Sequence, residues 1–127
     1  MGIGNHEYLN SFINDSNTIT ENAGAKIDAP AHKAVMYDAN GDVVLATDGG
    51  KAIGIILSST LDPINKGDQV HILISAIGLL KVSGAIAKGD AVTVANGLGV
   101  KAATGDAVFG RAFTATSAAG QCVQIRI

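Results

Sequence analysis

The sequence predicts an all-β protein: a small β-barrel or sandwich built from two similar β-units and preceded by an extended N-terminal arm. Three observations support this prediction. Short apolar segments alternate with a period of two residues, glycine-containing turns separate these segments, and two stretches of the chain align with each other. Beyond the arm, no long segment has the spacing of an amphipathic helix.

The composition limits the chain to one domain with a core of small aliphatic side chains. The 127 residues include 16 glycines and no tryptophan, and only 4% are aromatic. Such a core buries little area per residue, so we expect oligomerisation to add stability. The net charge of −2 and the lack of a basic run argue against nucleic acid as a partner. A lone cysteine, Cys122, excludes an internal disulfide, and nothing near it in sequence signals catalysis.

Residues 1–25 are predicted to form the N-terminal arm, and residues 26–127 the β-domain. The arm is rich in asparagine, serine and threonine, and its apolar residues include Tyr8, Leu9, Phe12 and Ile13. The i, i+3, i+4 spacing of Leu9, Phe12 and Ile13 is typical of a helix, but a helix this short is marginal in isolation. We therefore expect the arm to become ordered on a partner; a frayed terminus is the alternative. The N-terminus lacks the features of a secretion signal, and the longest apolar run is too short to span a bilayer. We therefore expect synthesis in the cytoplasm and no membrane partner.

The motif Lys-Gly-Asp is predicted to form a turn that leads into a strand. It occurs in "INKGDQV" and again in "IAKGDAV". Gly67 and Gly89 can adopt a positive φ at no steric cost, and Asp68 and Asp90 can hydrogen-bond to the backbone just past the turn. The residues after each motif alternate between apolar and polar or small side chains, which indicates a strand.

Two pairs of segments indicate an internal duplication. "NGDVVLATDGGKAIG", which begins at Asn40, aligns without a gap with "NGLGVKAATGDAVFG", which begins at Asn96. Further along, "GDQVHILI" matches "GQCVQIRI", and the aliphatic residues of both fall on the same predicted face. We therefore predict two similar β-units, at residues 27–74 and 84–127, joined by residues 75–83.

No motif in the sequence is typical of an enzyme, a cofactor site or a metal site, so we expect none of the three. The histidines His6, His32 and His71 lack metal-ligand spacing, and His71 lies on the predicted outward face of its strand. The segment "DGGK" lacks the rest of a phosphate-binding loop and is interpreted as a hairpin loop. An enzyme remains an alternative, and it would place His71 beside Asp68 or Asp90 in a deep pocket.

Two further segments carry a resemblance to a known family. "SGAIAKGDAVTVANGLGVKAA" and "VFGRAFTATSAAGQCVQIRI" combine a Lys-Gly-Asp turn, an Asn-Gly hairpin and a final alternating strand. In this pattern, residues 27–127 resemble the capsid cement, or head decoration, proteins of tailed bacteriophages. The arm departs from the family pattern, and we expect Tyr8, Leu9, Phe12 and Ile13 to contact the capsid or a neighbouring subunit.

The resemblance implies a non-enzymatic protein that forms a homotrimer on the outer capsid surface of the virion. There it would bind the expanded head and stabilise it by bridging major capsid proteins. Two alternatives stay open. One is a structural β-domain of another virion assembly, such as a tail or baseplate. The other is a ligand-binding or adhesion module, which would expose aromatic side chains around a groove.

Overall fold

The computed structural model describes residues 17–57 and 61–127, and these residues form β-strands without a helix. The strands are β1 (Thr18–Asn22), β2 (Ala34–Tyr37), β3 (Val43–Leu45), β4 (Gly54–Ile56), β5 (Gln69–Leu73), β6 (Ile77–Lys81), β7 (Ala91–Ala95), β8 (Leu98–Lys101), β9 (Gly110–Ala112) and β10 (Cys122–Arg126). The predicted all-β class is confirmed. Within these two ranges no helix is long and apolar enough to cross a membrane.

The strands pair into two five-stranded antiparallel sheets with the same internal order. The first sheet is ordered β1-β5-β4-β2-β3 and the second β6-β10-β9-β7-β8. The prediction of two similar β-units is therefore confirmed, and we call residues 17–75 unit 1 and residues 76–127 unit 2. The predicted bounds were too narrow, because β1 precedes residue 27 and β6 lies within the predicted joining segment.

Neither sheet closes into a barrel. The edge strands of unit 1 meet only at an isolated parallel bridge between Ala23 and Val43. The edge strands of unit 2 meet in the same way at Val82 and Gly99. One bridge does not make a ladder, so the domain consists of two open sheets that pack on each other.

The Lys-Gly-Asp turns have the predicted backbone conformation. Gly67 and Gly89 both have a φ of 91°. The Asp68 and Asp90 carboxylates accept hydrogen bonds of 2.8 and 2.9 Å from the backbone N–H three residues earlier, rather than from the backbone past the turn as predicted. Asp106 makes the same bond at 2.9 Å in a third copy of the turn. The carboxylate thus stabilises the start of each turn.

The Asn96-Gly97 loop and the "DGGK" loop connect their strands in different ways. Asn96 and Gly97, with φ values of 49° and 78°, form the two-residue hairpin between β7 and β8. The prediction of a hairpin at "DGGK" was wrong, because this loop joins β3 to β4 and those strands do not pair. Strand β2 lies between them, so the loop crosses over it. Turn composition marks where a strand ends but does not identify its partner.

Two hydrophobic cores hold the sheets, and they are unequal. The core of unit 1 contains unit 1 residues alone: Ala23, Ile27, Val35, Val43, Ile56, Ile64, Val70 and Ile72. The second core is shared, because Ala34, Ala46 and Ile55 of unit 1 pack into it. Its remaining members belong to unit 2: Leu80, Val82, Ile86, Val92, Val94, Ala112, Val123 and Ile125. Strand β4 is consequently buried on both faces.

Candidate docking surfaces

An exposed apolar pair lies on β6, an edge strand of unit 2. Ile77 is 56% exposed and Leu79 is 41% exposed, whereas Leu80, on the opposite face of the strand, is fully buried. Directly opposite on β10 are Arg126 and Gln124, which share the outward face with them. Aliphatic side chains exposed side by side on an edge strand form a surface that another protein can cover.

The same outward face continues across β10 to β9. Phe113, which is 37% exposed, donates its backbone N–H to the carbonyl of Gln124 at 2.8 Å. Arg111 lies directly opposite Arg126. We call this surface the β6–β10–β9 face, and it consists of Ile77, Leu79, Arg111, Phe113, Gln124 and Arg126.

The β6–β10–β9 face carries the only two arginines of the chain. Like charges placed opposite each other on neighbouring strands are unfavourable. Arg111 donates to the carbonyl of Gly89 at 2.9 Å, but neither arginine forms an ion pair with a described residue. Two guanidinium groups without carboxylate partners are suited to bind carboxylates of another molecule.

Unit 1 carries an acidic rim, which we define as Glu21, Tyr37, Asp38 and Asp42. The Tyr37 hydroxyl donates to the Glu21 carboxylate. This hydrogen bond raises the pKa of Tyr37 above its ordinary value, with smaller contributions from burial and the charge of Glu21. Asp38 accepts backbone hydrogen bonds of 2.8 and 3.0 Å within its own turn. None of the three carboxylates pairs with a described lysine or arginine.

The two units have opposite net charge. Unit 1 contains four lysines and seven carboxylates, a net charge of −3. Unit 2 contains five lysines and arginines and two carboxylates, a net charge of +3. The net charge of the whole chain conceals this separation, which makes the two ends of the molecule electrostatically complementary.

The residues considered for enzymatic chemistry lie apart from any deep pocket in the described ranges. His71 is exposed, as predicted, and its Nδ1 is 3.0 Å from the Thr20 hydroxyl. Cys122 is a half-buried free thiol on β10. No group of three or more potential metal ligands occurs among the described residues.

One shallow concavity lies where the loops of unit 1 meet β6. Its volume is about 140 Å³, below the roughly 300–1,000 Å³ that is typical of small-molecule sites. Its lining residues are Ala29, Pro30, Ala31, Leu61, Asp62 and Lys81. The Asp62 carboxylate is already bonded to the backbone N–H of Ala29 at 3.0 Å. The flat faces described above are therefore stronger candidates for a functional site.

The predicted interface residues Tyr8, Leu9, Phe12 and Ile13 lie outside the described residues, so their role stays a prediction. Strand β1 falls on the arm side of the predicted boundary at residue 25. The sequence analysis missed Ile77 and Leu79 because β6 was assigned to a joining segment. The short apolar run "IGLL" could have indicated a strand, but not which of its faces is exposed.

Comparison with known proteins gives a likeness to a solved structure. No protein-family model and no curated protein matches the sequence. Among solved structures, the chain is similar to the N base of the head fiber gp8.5 in bacteriophage phi29. The TM-score is 0.67 and the sequence identity 23%, over 87% of this chain and 92% of that chain. At this identity the likeness establishes a shared fold over nearly the full length of both chains.

Proposed function

We propose that this chain is a non-enzymatic structural protein of a bacteriophage head. The shared fold with the phi29 head fiber base carries this proposal, because that fold accounts for 87% of the chain. The sequence resemblance to head decoration proteins supports the same proposal independently, because it rests on turn and strand motifs of unit 2 and not on the structural comparison. A protein with this role acts through its outer faces and needs no deep pocket.

More specifically, the proposed protein is a decoration protein that binds the outside of the expanded head as a homotrimer and bridges major capsid proteins. The exposed pair Ile77 and Leu79 is the described surface that best fits a contact with capsid protein. A small apolar contact is weak by itself, but the copies of an oligomer bound to a symmetric lattice reinforce one another. The arm residues Tyr8, Leu9, Phe12 and Ile13 are proposed to add a second contact.

The decisive experiment is co-sedimentation of the purified protein with expanded heads that lack it, with bound copies counted per capsid protein. We expect saturation at a ratio set by the capsid symmetry, and no binding to unexpanded shells. Absence of binding by the folded oligomer would contradict the decoration role and favour a tail or baseplate assembly.

Two variants locate the capsid contact. The double substitution Ile77→Ser with Leu79→Ser should lower binding to heads at least about 10-fold, because it removes two exposed aliphatic side chains. Val108→Ser is the matched control, since Val108 is 55% exposed but lies outside the β6–β10–β9 face. Deletion of residues 2–16 tests the arm while leaving β1 in place. Wild-type binding by both the double variant and the deletion would overturn these contacts.

A further inference from the structure

The two units of one chain are joined by a specific contact. The tip of the β7–β8 hairpin contacts the ends of β2 and β3 in unit 1, where Ala34 donates to the carbonyl of Gly97 at 2.8 Å. Gly97 in turn donates to the carbonyl of Ala46 at 2.8 Å. Beside this tip, Ile55 is buried in the core that it shares with unit 2. We call the face of unit 1 that carries Ala34, Ala46 and Ile55, opposite its own core, the outer face of unit 1. This outer face covers one end of unit 2.

The outer face of unit 1 has a counterpart in unit 2 that the chain leaves uncovered. The strand pairing shows which residues correspond. In unit 1, Ala34 of β2 lies opposite Ile55 of β4. In unit 2, Ala91 of β7 lies opposite Arg111 of β9, so Arg111 corresponds to Ile55. By the same register Arg126 corresponds to Leu73. Arginines thus occupy the positions at which unit 1 presents aliphatic side chains to unit 2.

The surface of unit 2 that unit 1 covers also has a counterpart, and it is the acidic rim. Val70 and Val123 are aligned in the two units. Glu21 lies opposite Val70 and Leu80 lies opposite Val123, so Glu21 corresponds to Leu80. Tyr37 corresponds to the buried Val94 in the same way.

The two hairpin tips correspond as well. Gly41 of unit 1 occupies the position of Gly97, and both have a positive φ, 80° and 78°. A Cβ placed on Gly41 would meet open space, whereas one on Gly97 would contact Leu45 and Lys33. The tip of unit 1 is therefore free to make the contact that the tip of unit 2 already makes.

We propose that unit 2 of one copy docks on unit 1 of a second copy in an arrangement like the one that joins the two units within a chain. Arg111 and Arg126 then face the carboxylates of the acidic rim, in place of the aliphatic contact made within the chain. Charge complementarity selects this occupant, because the two surfaces have opposite sign. A face-to-face contact between identical surfaces would instead oppose arginine to arginine.

A contact between two different surfaces of identical chains is heterologous, and its repetition closes a ring when the rotation between copies permits. The inference deepens the homotrimer of the proposed function and rests on that oligomer, but it does not require the head. Ile77 and Leu79 are not part of this contact, because their counterparts Thr18 and Thr20 are exposed in unit 1. The interface between copies and the capsid contact can therefore fail independently.

The test is a charge reversal on each surface and then on both, with the mass measured by light scattering after size-exclusion chromatography. Arg111→Glu with Arg126→Glu should weaken self-association at least about 100-fold, since like charges would then face each other. Glu21→Lys with Asp42→Lys should do the same. The chain that carries all four substitutions should regain the parent mass, because the surfaces are again complementary.

The control is Lys26→Glu with Lys66→Glu, which changes the net charge as much as the arginine reversal does. The counterparts of these lysines in unit 2, Ala85 and Ala119, are exposed, so the proposed contact does not cover them. This control should keep the parent mass, and circular dichroism verifies that each variant is folded. A monomeric parent chain, or failure of the fourfold variant to reassociate, would overturn the inference. An oligomer that assembles as described but does not bind heads would overturn only the proposed decoration role.

Discussion

Unit 1 and unit 2 share strand order and register but differ in the polarity of two corresponding surfaces. Unit 1 presents Ile55 where unit 2 presents Arg111, and unit 2 presents Leu80 where unit 1 presents Glu21. The two apolar residues, Ile55 and Leu80, are buried in the same core, where unit 1 packs on unit 2. The comparison teaches that a duplicated fold can keep one copy of a contact inside the chain and leave a polar copy on its surface.

The largest effect is expected from breaking the apolar contact. Ile55 is 1% exposed, and Ile55→Ala should lower the free energy of unfolding by about 2–5 kcal/mol through lost burial and a cavity. Arg111→Ala, at the corresponding exposed position, should change it by no more than about 0.5 kcal/mol. Urea unfolding at a dilution that keeps both variants monomeric measures the difference. Equal losses would mean that Ile55 does not hold the two units together.

A smaller difference is expected between the two hairpin tips. Both Gly41→Ala and Gly97→Ala force alanine into a left-handed conformation, which costs about 1–2 kcal/mol. At Gly97 the new Cβ would also lie 2.7 Å from a Leu45 methyl group, so a further cost of about 1–3 kcal/mol is expected there. Thermal unfolding of the two variants separates these terms, and a larger loss at Gly41 would contradict the packing described for Gly97.

The smallest effect concerns the acidic rim at alkaline pH. Because Glu21 raises the pKa of Tyr37 in the folded chain above its unfolded value near 10, the contribution of this hydrogen bond is complete below about pH 10. It is lost as the pH rises through the folded pKa. Tyr37→Phe should therefore be slightly less stable than the parent at pH 8 and approach it as the pH rises through the folded pKa of Tyr37. Tyr8→Phe is the control, and the same pH profile in both variants would exclude Tyr37 as the cause.

The turns and the buried faces could be predicted from the sequence, because their signals are local. Glycine at positive φ and a two-residue Asn-Gly hairpin both depend on residues close together in the chain. Even so, the aspartates of the Lys-Gly-Asp turns bond to an N–H before the turn and not to the predicted one past it. Strands β1 and β6 could not be matched by alignment, since "TITEN" and "IGLLK" share no residue at corresponding positions. Their place is set by pairing with β5 and β10, far along the chain.

The candidate surfaces were hidden from the sequence for a related reason. The acidic rim combines Glu21 from β1 with residues around the β2–β3 turn, and the β6–β10–β9 face combines β6 with β9 and β10, which follow only after β7 and β8 in the chain. Net charge averaged over the chain also conceals the opposite signs of the units. Once the strand order is known, both surfaces follow directly from the alternation of side chains along each strand.

The unequal cores have a consequence for the order in which the chain folds. Thr18 pairs with Leu73, so unit 1 is complete only when nearly the first three-fifths of the chain has been synthesised. Its core then needs nothing further, whereas the core of unit 2 includes Ala34, Ala46 and Ile55 from unit 1. The N-terminal unit can therefore form first on the ribosome and serve as the template on which the second unit is completed.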